Sequence, residues 1–78
     1  MKTVNGLDVV ALTWDLPACG LVRGVVGAVV LVHGKGEAFE VEFVGYDGHT
    51  LALVTLEADQ VRPLDSHDIP HARELTAA

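Results

Sequence analysis

The apolar residues of this chain fall into short runs separated by glycine, proline and charged residues. Residues 37 to 44 give the clearest pattern. Phe39, Val41 and Phe43 alternate with Glu40 and Glu42, the period-2 signature of a strand with one wet face. Val25 to His33 is a valine-rich run, and β-branched side chains suit a strand. Gly34-Lys35-Gly36 lies between the two and predicts a tight turn in which glycine supplies positive φ. Asp47-Gly48 is a second hairpin signal. Thr50 to Leu56 predicts a third apolar strand, Glu57 to Gln60 a single 3₁₀ turn, and Val61 to Leu64 a short closing strand that Pro63 halts. Before these, Leu7 to Thr13 predicts the first strand and Asp15 to Leu21 a longer loop.

Five short strands, one long first loop, two tight hairpins and a 3₁₀ turn before the last strand predict an all-β domain over residues 5–64. The expected form is a small SH3-like barrel, since closure removes sheet edges. Gly24 and Gly27 would then supply a bulge or a bend at a barrel corner. An open meander sheet is the alternative. Residues 65–78 differ in composition. Asp68-Ile69-Pro70 resembles a helix start, so His71 to Ala77 is expected as a short helix with Ile69, Ala72 and Leu75 on one side, or else as a frayed tail.

The two apolar strands carry more hydrophobic residues than one core face can use. In the valine run, Val25, Val29 and Leu31 form one set, and Val26, Ala28, Val30 and Val32 the other. In the third strand, Leu51 and Leu53 oppose Ala52, Val54 and Leu56. A small barrel buries only its inside. The expectation is therefore an apolar patch of Val26, Ala28, Val30, Val32, Ala52, Val54 and Leu56, opposite Phe39, Val41 and Phe43. A protein partner or a second copy would cover it. Trp14 joins these interface candidates.

Composition narrows the setting. With 78 residues the chain makes one domain with a small core. A net charge of −6 disfavours a polyanion, because nucleic-acid binding draws on clustered Lys and Arg. The five basic residues, Lys2, Arg23, Lys35, Arg62 and Arg73, are scattered along the chain. Cys19 is the single cysteine, which suits a reducing compartment. No apolar run reaches the ~20 residues of a membrane helix, and the start has no apolar stretch of the signal-peptide kind. A soluble cytoplasmic protein is expected.

Candidate chemistry is sparse. Ser66 is the sole serine and His67 adjoins it, but sequence neighbours rarely hold nucleophile-and-base geometry. Only Arg23 is near Cys19 in sequence, too little to define a reactive thiol. His67 and His71 are four apart among Asp65, Asp68 and Glu74, a spacing used by zinc sites on helices. Pro70 intervenes, and a solvated tail is the simpler reading. His33 and His49 sit at turn edges. Trp14 beside Pro17 suggests a peptide groove, yet proline-rich ligands need several aromatics together and the chain has four. Glu40 and Glu42 lie along one strand, whereas catalytic carboxylate pairs face each other across a cleft. They read as an acidic surface. No enzyme activity, cofactor or metal is expected.

Three segments together resemble a known family. "DLPACGLVRGVVGAVV", "GKGEAFEVEFVGYDGHT" and "LALVTLEADQVRPL" are similar to the first loop and valine strand, the central hairpins and the ending of a small bacterial group, domain of unknown function 4926. Cys19 and Val25 depart from it where polar residues are expected. The resemblance covers residues 7–64 and implies a compact β domain, compatible with a two-gene arrangement; it carries no catalytic residues. Gly24, Gly27 and Val29 are also similar to the KOW segment of ribosomal and transcription-factor barrels. The expected function is thus a non-catalytic protein-interaction module, the small partner of a two-gene system of antitoxin or immunity type. The alternative is a KOW-like nucleic-acid or ribosome-associated module.

Overall fold

The computed structural model describes residues 4–75. Five strands form one antiparallel sheet: β1 (Val9–Leu12), β2 (Val26–His33), β3 (Ala38–Val44), β4 (Thr50–Glu57) and β5 (Val61–Pro63). Their order across the sheet is β4-β3-β2-β1-β5. The first four strands therefore meander, and β5 returns to lie beside β1.

The expected SH3-like barrel does not form. Among the described residues β4 pairs only with β3, and β5 only with β1, so the sheet keeps two free edges there. The physical reason lies in β5. It is three residues long and ends on Pro63, which has no N–H to offer a further strand. The turn ahead of it, a 3₁₀ segment at Ala58–Gln60, is held by a reciprocal capping box between Glu57 and Gln60. That turn delivers the chain to β1 rather than back along β4.

The core sits on the sheet face that carries Phe39, Val41 and Phe43. Val10, Leu12, Val29, Leu56 and Val61 join them, all buried. The 13–25 strap covers this cluster. A second 3₁₀ turn at Pro17–Cys19, which sequence reasoning missed, sets the strap's path. Leu16 and Leu21 bridge around it, so Leu21 is buried while Leu16, Cys19 and Val25 pack at the cluster's margin.

Two glycine positions explain themselves. Gly36 and Gly48, at the hairpin tips, have φ of 93° and 91°, a region that disfavours any side chain; Gly34 and Gly24 share it. Gly27 does not. It is neither the bulge nor the corner expected of it, because the β2 register shift falls between Val29 and Leu31 instead. Gly27 is buried, and a Cβ there would lie 2.7 Å from Val41 Cγ1 and 2.8 Å from Phe43 Cε1. It is a glycine because the core ring needs that space.

The tail also differs from expectation. No helix follows Pro70 among the described residues; Thr76, Ala77 and Ala78 lie outside them. Arg62 holds the tail instead, donating to both carboxylate oxygens of Asp68 at 3.0 and 2.7 Å. Asp68 also accepts from the Asp65 amide at 2.8 Å, closing a turn that replaces the expected helix start. Further on, Leu75 packs back against the core.

Candidate functional site

The outward face of the sheet is built by register. Leu31 faces Glu40, which faces Thr55; Ala28 faces Glu42, which faces Leu53. Val9 extends the second row through its pairing with Ala28. Val9, Leu31 and Leu53 are about half exposed or more.

The carboxylates between them are engaged. Glu40 lies 2.6 Å from His33 Nε2 and accepts from the Thr55 hydroxyl at 2.7 Å. The His33 bond first, then the Thr55 bond, hold the Glu40 carboxyl below its ordinary range. Glu42 accepts from the Thr50 hydroxyl. These are cross-strand ties along one open face, not a pair converging on a substrate.

β4 forms one edge of this face. Thr50 to Leu56 contains no charge and no proline, two of the devices by which edge strands ordinarily resist pairing, and Glu57 closes the strand. Leu51 is 51% exposed and Leu53 60%.

The register corrects the expected patch. Phe39, Val41 and Phe43 stand opposite Leu56, Val54 and Ala52, and directly opposed residues share a face. Ala52, Val54 and Leu56 therefore belong to the core side. Leu56 is buried, and Ala52 and Val54 pack against the cluster. Val32 is on that side as well, facing Phe39. Of the remaining interface candidates, Val26 and Val30 are each 46% exposed and Ala28 is half-buried in the outward row. Trp14 is exposed, away from the core.

A second feature was not anticipated. An open groove of about 880 Å³ runs between the 20–26 part of the strap, the end of β3 with its hairpin, and the 68–75 tail. Leu21, Val25, Phe43 and Leu75 contribute apolar walls, and Arg23, Arg62 and Arg73 line it. No local motif announces this. The three arginines are 39 and 11 residues apart in sequence, and the β1–β5 pairing with the Arg62–Asp68 tie brings their segments together.

The candidate chemistry remains dispersed. Cys19 is a half-buried free thiol in the strap. His67 and His71 are both exposed. His49 pairs locally with Asp47 at 2.9 Å, and this bond holds the Asp47 carboxyl below its ordinary range. Among the described residues no three His, Cys, Asp or Glu side chains gather as a metal site requires. None of their helices is long and apolar enough to cross a membrane.

A family model described as "Domain of unknown function (DUF4926)" matches residues 7–63, well over half of the chain. No curated protein matches, and no solved structure does.

Proposed function

The chain belongs to the DUF4926 family, and we propose that it acts as a non-catalytic protein-interaction module working through β4 and the outward sheet face. The observation that carries this reading is the free edge of β4, uncharged from Thr50 to Leu56, with Leu51 and Leu53 exposed beside it. Such an edge offers unpaired backbone N–H and C=O groups to an added strand, and the flanking side chains select which strand. Half-exposed Val9 and Leu31 extend the apolar contact. A net charge of −6 favours a protein over a polyanion as the partner. The same features suit the small half of a two-gene system of antitoxin or immunity type, whose task is to occupy a larger protein.

The test is Leu53→Glu. Leu53 is 60% exposed, so the fold should tolerate the change, with a melting temperature close to the parent's. Sedimentation velocity of both proteins reads self-association, and co-purification with the neighbouring gene's product reads a heterologous partner. Leu53→Glu should abolish whichever assembly the parent makes. A parent that is monomeric and retains no partner, or an assembly indifferent to Leu53→Glu, refutes the proposal.

A further inference from the structure

We propose that the groove beneath the tail receives an acidic segment of a partner protein, one in which carboxylates flank an apolar side chain. Among the described residues the groove meets β4 only at Leu51, at the start of the strand, and does not include Leu53; a different observation carries it.

That observation is charge segregation. The chain has five basic residues and a net charge of −6, yet three of its arginines line this one groove. Among the described residues, Asp68 is the single acidic residue lining it. Three arginines against one aspartate give the described lining a formal charge of +2 from these groups, on a molecule whose net charge is −6. Such a concentration focuses a positive potential where an anionic ligand would enter.

The arginines are not equivalent. Arg62 is already spent on Asp68 through two hydrogen bonds, an arrangement that fixes the tail as one wall. Arg23 and Arg73 form no ion pair among the described residues, and both side chains are exposed. Their guanidinium groups are free for carboxylates, which they can take in bidentate fashion. The walls between them are apolar, with Leu21, Val25 and Phe43 on the strap and sheet side. A ligand that satisfies both features has an apolar residue with acidic groups on either side. The groove is an open trough bounded by three chain segments, which suits an extended peptide better than a small molecule, since small-molecule sites enclose most of their ligand.

The experiment pans a random heptapeptide phage library against the full chain. The selected peptide is then made with a fluorescein label and titrated by anisotropy. Recovered sequences should be enriched in Asp and Glu around Leu or Phe. Arg23→Glu and Arg73→Glu should each weaken the labelled peptide tenfold or more. Lys35→Glu, the same charge change on the β2–β3 hairpin, should leave affinity within twofold, and so should Leu53→Glu on the β4 edge. Thermal melts confirm that each variant is folded. Selection without acidic enrichment, equal binding by the arginine variants and the parent, or an equal loss in Lys35→Glu would overturn the proposal. Loss in Leu53→Glu alone would place the peptide on the edge and overturn it too.

Discussion

Gly27→Ala is the sharpest test of the core. The added methyl would lie 2.7 Å from Val41 Cγ1 and 2.8 and 2.9 Å from Phe43 Cε1 and Cδ1. Carbon atoms pack at roughly 3.5–4.0 Å, so both neighbours must retreat by about 1 Å. Val41 and Phe43 are both buried within the cluster, so their retreat disturbs the packing of the core. Overpacking of this kind costs about 1–3 kcal/mol. Restricting the unfolded chain offsets part of that, by about 0.4–1 kcal/mol, because Gly27 is not among the positive-φ glycines. The net loss should be about 1–2 kcal/mol, and at ~4–8 °C per kcal/mol for a domain of this size the melting temperature should fall by roughly 5–15 °C. The mechanism is separable from backbone strain. In Gly27→Ala combined with Phe43→Leu, the shortened side chain makes room for the methyl. The double variant should then be more stable than the two single losses predict, by ~0.5 kcal/mol or more. Urea unfolding of the four proteins supplies the cycle. A Gly27→Ala protein as stable as its parent, or a strictly additive double variant, refutes the packing argument.

Gly48→Val addresses the second hairpin: φ of 91° with no atom within 4 Å of a Cβ means strain without collision. The cost should be about 1–3 kcal/mol, read as a lower urea midpoint; an unchanged midpoint refutes the turn assignment. Asp68 sets a pH dependence for the tail. Its partner Arg62, first, and the Asp65 amide lower its pKa from 3.8 to about 2. The folded value lies below the unfolded one, so the docked tail's stabilisation is complete above about pH 4 and is lost as pH falls through about 2. Carboxyl-detected NMR should show Asp68 titrating near the low value, and Asp68→Asn should speed amide exchange over residues 69–75 at neutral pH. A titration at the ordinary value would refute the clamp.

The strand positions were legible because turn chemistry and alternation are local. β3 alternates apolar with glutamate, so its two faces are named by its own residues. β4 is not marked this way. Leu51 to Leu56 is apolar apart from Thr55, and period-2 reasoning cannot tell which set is inside. The answer is set by the hairpin that joins β3 to β4, where the register shifts between Phe43 and Val44. One residue of slip moves every side chain to the other face, which is how Leu56 changes from expected interface to core. The shift between Val29 and Leu31 is hidden for the same reason, inside the five consecutive apolar residues Ala28 to Val32. Closure of a barrel depends on contact between the first and last edges, and no local pattern encodes it. The groove depends on tertiary contact as well: arginines that look scattered in sequence become neighbours only after β5 pairs with β1.

Correcting the face of β4 changes what the outward surface can do. Had Ala52, Val54 and Leu56 faced outward, a partner would have met a purely apolar patch. The actual rows place Leu31 and Leu53 beside Glu40 and Glu42. Covering bare carboxylates is costly, because a charge leaves water without a replacement partner. These two are not bare. Glu40 holds bonds to His33 and Thr55, and Glu42 to Thr50. A partner strand that covers the leucines would find these acceptors already supplied with donors, which lowers the cost of dehydrating them. Strand addition at β4 and contact across the outward face are therefore compatible in one docking mode. In the proposed mode the threonines of β4 would hold the glutamates to the sheet while β4's free edge took the partner strand.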